Sequence, residues 1–154
     1  INVDYYNNPE QDKFFIKRYG DIVTFKFDSK ADVIFSSHAL QCIFPRSRQA
    51  EAIKHWSENL KSGGKLILVV PDAQYQINKY RKGSMTWQDL IDSNFGWDAN
   101  GMRNFSMYNK EYLRDFIVAS SNKLVSCKLN DDYLKSIGIP DFPESDIITI
   151  HERI

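Results

Sequence analysis

The stretch from Ala31 to Asp72 constrains the fold most, because it reads as strand, loop, amphipathic helix, Gly-Gly turn and second strand. Ala31–Phe35 is a short apolar run that stops at Ser36-Ser37-His38, and Lys65–Val70 is all aliphatic after its lysine and stops at Pro71-Asp72. Runs bounded in this way suit buried strands of a parallel sheet. Between them Ala50, Ile53, Trp56 and Leu60 recur at three- and four-residue spacing, with Arg48, Glu51, Lys54 and Glu58 on the opposite face, which predicts a crossover helix over 47–61. Ser47 is placed to cap its start, and Gly63 or Gly64 to end it in a left-handed conformation.

In an open α/β sheet the carboxyl ends of the strands share one edge, and ligands bind there. Ser36, Ser37, His38, Pro71 and Asp72 should therefore line one site. The remaining pattern predicts strands over 1–4, 21–27, 124–130 and 146–152, and helices over 9–18, 73–82, 85–93 and 109–119. Pro9 suits a first helical turn and Gly20 a helix stop. At 154 residues a single domain over 1–154 is expected, with enough chain for a proper core.

Twenty basic and twenty acidic residues cancel, which argues against a protein that tracks nucleic-acid phosphates. Lys79, Arg81 and Lys82 make a small basic cluster whose plain reading is a solvated helix end. Cys42 and Cys127 lack metal-ligand spacing, so the expectation is no metal site and two buried, reduced thiols in a cytoplasmic setting. No apolar run reaches membrane-spanning length.

With ADVIFSSHALQ and SGGKLILVVPD as its core, the chain resembles the class I S-adenosylmethionine-dependent methyltransferases, closest in pattern to small-molecule enzymes of glycan biosynthesis. The resemblance implies a Rossmann-like, mostly parallel α/β sheet with helices on both faces and an antiparallel C-terminal strand, so that KLVSCKLN and DIITIH form a terminal pair joined by the Gly138-Ile139-Pro140 loop. It also implies that INVD is the family's second strand, that residues 73–108 are a substrate-side insertion, and that FSMYNKEYLRDFI precedes the sixth strand. On this alignment the family's first strand and glycine-rich loop are missing and belong upstream of Ile1, so the chain is expected to be a truncated form.

The same resemblance implies S-adenosylmethionine as cofactor and a small-molecule or sugar acceptor. Asp4 falls where an acidic residue accepts hydrogen bonds from the cofactor ribose, Tyr5 beside the adenine, and Asp28 near the adenine amino group, with Asp21 as the competing choice. Ser36, Ser37 and His38 fall beneath the sulfonium end of the cofactor. Leu40-Gln41-Cys42 departs from the family's leucine-glutamate-histidine by losing a carboxylate and an imidazole together.

His38 is a candidate catalytic base because imidazole titrates near neutrality; its alternative, and commoner, role is only to hydrogen-bond its loop. Asp72 is the second catalytic candidate, its alternative being to cap the helix that follows. His55 and His151 are expected to lie away from the site. Tyr75, Tyr80, Trp87, Phe95 and Trp97 form either an aromatic lid over a carbohydrate ring or the insertion's own small core. The functional readings are thus O-methylation of a sugar or other small molecule, a non-catalytic methyltransferase-like domain of a larger glycan-modifying protein, or, least favoured, a nicotinamide-dependent enzyme.

Overall fold

The computed structural model describes residues 21–95, 103–129, 131–139 and 141–154, together with the backbone of 2–4 and 17–19. The central element is β4 (Leu60–Pro71), which pairs in parallel with β3 (Ala31–Ser37) on one side and antiparallel with β6 (Asp146–Arg153) on the other. β6 in turn pairs antiparallel with β5 (Leu124–Cys127), giving the order β3-β4-β6-β5 in which only β6 runs against the rest. The expected terminal pair is present, with β6 inserted between β4 and β5. A separate parallel pair joins β1 (Asn2–Asp4) to β2 (Lys17–Tyr19), Asp4 lying opposite Tyr19.

Side chains alternate across the sheet, so β4 builds two cores. Leu66, Leu68 and Val70 face α1 (Arg46–Asn59) and α4 (Lys110–Ser120), joining Ala52, Ile53, Trp56, Leu113 and Ile117 in the larger core. Ile67 faces the other way and joins Ile150, Leu134 and Ile139, Leu134 being supplied by the short helix α5 (Asp131–Ser136). Each such fully buried aliphatic chain contributes about 1.5–3 kcal/mol relative to exposure. Helices therefore cover both faces, and α5 occupies part of what the sequence suggested was loop. α2 (Ala73–Arg81) and α3 (Trp87–Phe95) pack on one another beyond the carboxyl end of β4.

The segment 21–27, expected as a strand, lies along α1 instead. Trp56 donates to the Ile22 carbonyl at 2.9 Å, His55 bonds the Phe25 carbonyl at 2.6 Å, and Val23 is buried. Helix side chains thus satisfy backbone groups that a neighbouring strand would otherwise have to satisfy, and the apolar residues are buried without a ladder. Of the expected helix over 9–18, Lys17 and Arg18 belong to β2, while 9–16 lie outside the described residues.

Ser47 is not the cap of α1. Pro45 holds that position with extended backbone, Arg46 opens the helix, and no side chain caps it. Gly63 does adopt a left-handed conformation, φ 74°, but inside β4 and not at the helix end. The register jumps from Ala31 opposite Leu60 to Val33 opposite Lys65, so 61–64 bulges out of the pairing. A Cβ on Gly64 would lie 2.9 Å from the Lys61 carbonyl oxygen and 3.1 Å from that of Asp32, which is why a glycine stands there. Cys42 and Cys127 are free and half-buried, not fully buried as expected.

His151 sits in β6 opposite Leu66, fully buried with neither ring nitrogen bonded to a partner. Burial pushes its pKa down to about 4. The unfolded chain protonates this residue near pH 6.5, whereas the folded chain stays neutral until about pH 4. Acidification through that window therefore favours unfolding, by up to roughly 3 kcal/mol from this group. Denaturant titrations at pH 7.5 and 4.5 should show His151→Leu losing less stability than the natural sequence by an amount of that order. Equal losses in the two proteins would show that His151 is not held neutral by burial.

Candidate functional site

Because β3 and β4 are parallel, α1 runs back from their carboxyl edge, and the loop between Ser37 and Arg46 lies on that edge. The His38 amide donates to the Val69 carbonyl at 2.9 Å, carrying the strand pairing one residue past β3. His38 itself has φ 53°, a left-handed conformation uncommon for a residue with a Cβ. Backbone conformations of this kind cluster at functional sites in proteins generally. A 3-10 turn over Leu40–Cys42 follows, anchored by the fully buried Leu40.

The antiparallel course of β6 brings its first residue, Asp146, to the same edge, opposite Pro71. The Asp146 carboxylate, 8% exposed, lies 3.1 Å from His38 Nε2 on an imidazole that is 45% exposed. Beside them the Asp72 amide donates to the Ser145 carbonyl at 2.8 Å. Asp72 Oδ1 accepts from the amides of Gln74 and Tyr75 at 2.9 and 3.2 Å, so Asp72 does cap α2. Asp72 and Asp146 both line a cavity of about 470 Å³ with Lys110, Asp131, Phe142 and Glu144. A neighbouring cavity of about 420 Å³ lies between Tyr75, Gln76 and Lys79 of α2, Asp89 of α3 and Glu144.

Buried polar contacts fix the segment that returns from α3. Gln49, fully buried in α1, donates to the Ile43 carbonyl and the Ser106 hydroxyl at 2.8 Å each, and its Oε1 accepts from the Tyr108 hydroxyl at 2.7 Å. The Tyr108 carbonyl accepts from the Ala73 amide at 2.9 Å, directly after Asp72. Burial pushes the Tyr108 hydroxyl up to about 12, so it stays a neutral donor. Gln41 is buried too, and its Oε1 has no partner.

Ser36, Ser37, His38 and Asp72 are brought to one edge. Asp28 is not: it lies three residues before β3, beyond the strand's amino end. Asp21 is the residue that stands beside the start of α1, where its carboxylate pairs with Arg48 and accepts from the Val23 amide at 2.9 Å. The Val23 amide holds that carboxyl below the usual range, and Arg48 lowers it further. Asp4 ends β1 opposite Tyr19 of β2. Tyr5 lies outside the described residues.

Asp146 was missed in the sequence because, although the antiparallel direction of this strand was expected, its contact with His38 depends on β6 lying directly against β4, with Asp146 opposite Pro71. Of the insertion's aromatics named above, Tyr75 is half-buried and Tyr80, Trp87 and Phe95 are exposed. Tyr80 and Trp87 meet edge to face at 5.6 Å with 40% and 60% exposure, and Phe95 is half exposed, while Trp97 lies outside the described residues. His55 and His151 are away from the edge, as expected. Among the described residues no cluster of His, Cys, Asp or Glu is arranged to hold a metal ion, and no helix is long and apolar enough to cross a membrane.

No family model matches the sequence, and no curated protein matches it. Solved structures do match. A protein of Pyrococcus horikoshii OT3 superposes with a TM-score of 0.63 at 13% identity, over 99% of this chain and 70% of its own. An S-adenosylmethionine-dependent methyltransferase from Clostridium acetobutylicum ATCC 824 gives 0.57 at 13% identity, over 98% and 73%. The N-methyltransferase NodS from Bradyrhizobium japonicum WM9, in complex with S-adenosyl-L-homocysteine, gives 0.50 at 12% identity, over 94% and 58%. The chain shares their Rossmann-like α/β fold.

Tyr108→Phe removes one donor from Gln49 Oε1 and should destabilise the protein by about 1–3 kcal/mol. Chemical denaturation measures it, and an unchanged midpoint would show that the Gln49–Tyr108 bond does not hold this segment.

Proposed function

We propose that this chain is an S-adenosylmethionine-dependent methyltransferase that methylates an oxygen of a small molecule, with a sugar hydroxyl as the favoured acceptor. The observation that carries the reading is the fold held in common with a methyltransferase and with an enzyme bound to S-adenosyl-L-homocysteine, combined with a carboxyl edge that gathers hydroxyls, an imidazole and carboxylates. The setting we propose is cytoplasmic, which two free thiols support. Residues 73–108 are then the substrate-side insertion, and the exposed Tyr80–Trp87 pair is suited to stacking on a sugar ring.

The donors and acceptors fit such a cofactor. Asp4 would accept from the ribose hydroxyls, Tyr5 would lie against the adenine, and Ser36, Ser37 and His38 would pass beneath the sulfonium end. Asp21 replaces Asp28 as the acidic residue suited to the adenine side, because Asp28 lies toward the other edge. Gln41 Oε1 is a buried acceptor without a partner three residues past His38, available to an ammonium or hydroxyl donor. When bound, S-adenosylmethionine supplies a methyl group already made electrophilic by its sulfonium. The chain's own task is to hold an acceptor oxygen in line and to take its proton. His38 is suited to take that proton, with Asp72 as the second candidate. Its capping of α2 through Oδ1 ties Asp72 to a structural duty.

Two measurements test this reading. Calorimetry on the natural protein should detect binding of S-adenosylmethionine, and Asp4→Ala should weaken it by about 1.5–3 kcal/mol as a charge-assisted acceptor is lost. Absence of heat with both the cofactor and its demethylated product would instead favour the non-catalytic, scaffold-like domain. Against a responsive hydroxyl acceptor, His38→Ala should lower turnover about a hundredfold to ten-thousandfold with cofactor affinity nearly unchanged, and Asp72→Asn should cost less. Near-normal turnover of His38→Ala across pH would exclude His38 as the base.

A further inference from the structure

The geometry points to Asp146 as the positioning residue for His38, fixing which ring nitrogen can receive a proton. The inference deepens the methyltransferase reading and rests on it for its catalytic consequence, though the pairing itself stands on the contact between the two side chains. An ionised carboxylate only accepts hydrogen bonds, so at 3.1 Å from Asp146 Oδ2 the neutral imidazole carries its hydrogen on Nε2. The lone pair is then on Nδ1, which is the nitrogen left to take a proton from an acceptor hydroxyl. As Nδ1 takes the hydroxyl proton, the carboxylate stabilises the imidazolium that forms, and no proton passes to Asp146.

The pair is held from both sides. The His38 backbone is fixed by the hydrogen bond its amide donates to the Val69 carbonyl, and it adopts a left-handed conformation. Asp146 is fixed by its place opposite Pro71 in β6 and by its amide, which donates to the Pro143 carbonyl at 2.9 Å. Its carboxylate is nearly buried while the imidazole is nearly half exposed, so one end of the pair is anchored and the other is open to a ligand. The turn that presents Asp146 also supplies Pro143 and Glu144 to both cavities beside the site.

The test is nitrogen-15 NMR of the imidazoles in the natural protein without ligand, with His38→Gln used to assign the His38 signals. At a pH where His38 is neutral, its Nε2 should resonate as a protonated nitrogen and Nδ1 as an unprotonated one. In Asp146→Asn, which preserves shape but can donate as well as accept, the two signals should move toward an average of the two tautomers. With an acceptor, Asp146→Asn should lower kcat at least about tenfold and leave cofactor affinity within about twofold. Tautomer signals that are averaged in the natural protein, or unchanged by Asp146→Asn, would overturn the inference. A fixed tautomer lost on substitution, in a protein that transfers no methyl group, would sustain the pairing and sink the methyltransferase reading instead. Should Asp146→Asn fail to fold, Asp146→Glu displaces the carboxylate without removing it, and an unaltered His38 spectrum there would also overturn the inference.

Discussion

The double register of β4 is the constraint on which the rest depends. One strand pairs in parallel with β3 and antiparallel with β6, and its alternate side chains enter opposite cores. The parallel pairing forces α1 to cross back over the sheet, which places the His38 loop at the carboxyl edge. The antiparallel pairing delivers the first residue of β6 to that same edge. Three distant segments, those of His38, Asp72 and Asp146, meet because a single strand has two different neighbours.

Around that edge the structure uses polar atoms sparingly and satisfies most of them. Gln49 alone ties α1 to the Ile43 carbonyl, to Ser106 and to Tyr108, and the Tyr108 backbone carries the tie to the residue after Asp72. A buried amide of this kind is costly to leave half satisfied, so it fixes the arrangement more strictly than aliphatic packing does. Gln41 Oε1 and Gln76 Oε1 are the exceptions near this edge, each buried without a partner.

The strand-helix-strand core was legible because residues 65–70 have no polar face after the lysine and Ile53 and Trp56 mark the buried face of α1, although Leu60, expected on the helix, begins β4. Segment 21–27 misled for a physical reason. Its alternation of apolar residues is satisfied by a helix surface, with His55 and Trp56 bonding its carbonyls, and no local sequence signal distinguishes that from a strand neighbour. The same misplacement drew Asp28 into the candidate site in preference to Asp21, whose pairing with Arg48 is a tertiary fact. His38 and Asp72 were legible as strand-end residues, whereas Asp146 needed the register of β6 against β4. Ser47 looked like a cap only because Pro45, which begins the helix from an extended conformation, leaves no polar side chain to mark the boundary.

The central claim is that the carboxyl edge formed by β3, β4 and the start of β6 receives S-adenosylmethionine. A crystal structure of the natural protein with S-adenosyl-L-homocysteine tests it most directly. The sulfur should lie over the backbone of Ser36–His38, with the ribose toward Asp4 and the His38–Asp146 pair facing the open acceptor side. A ligand seated at the opposite edge, near Asp28 and the amino end of β3, would contradict the account.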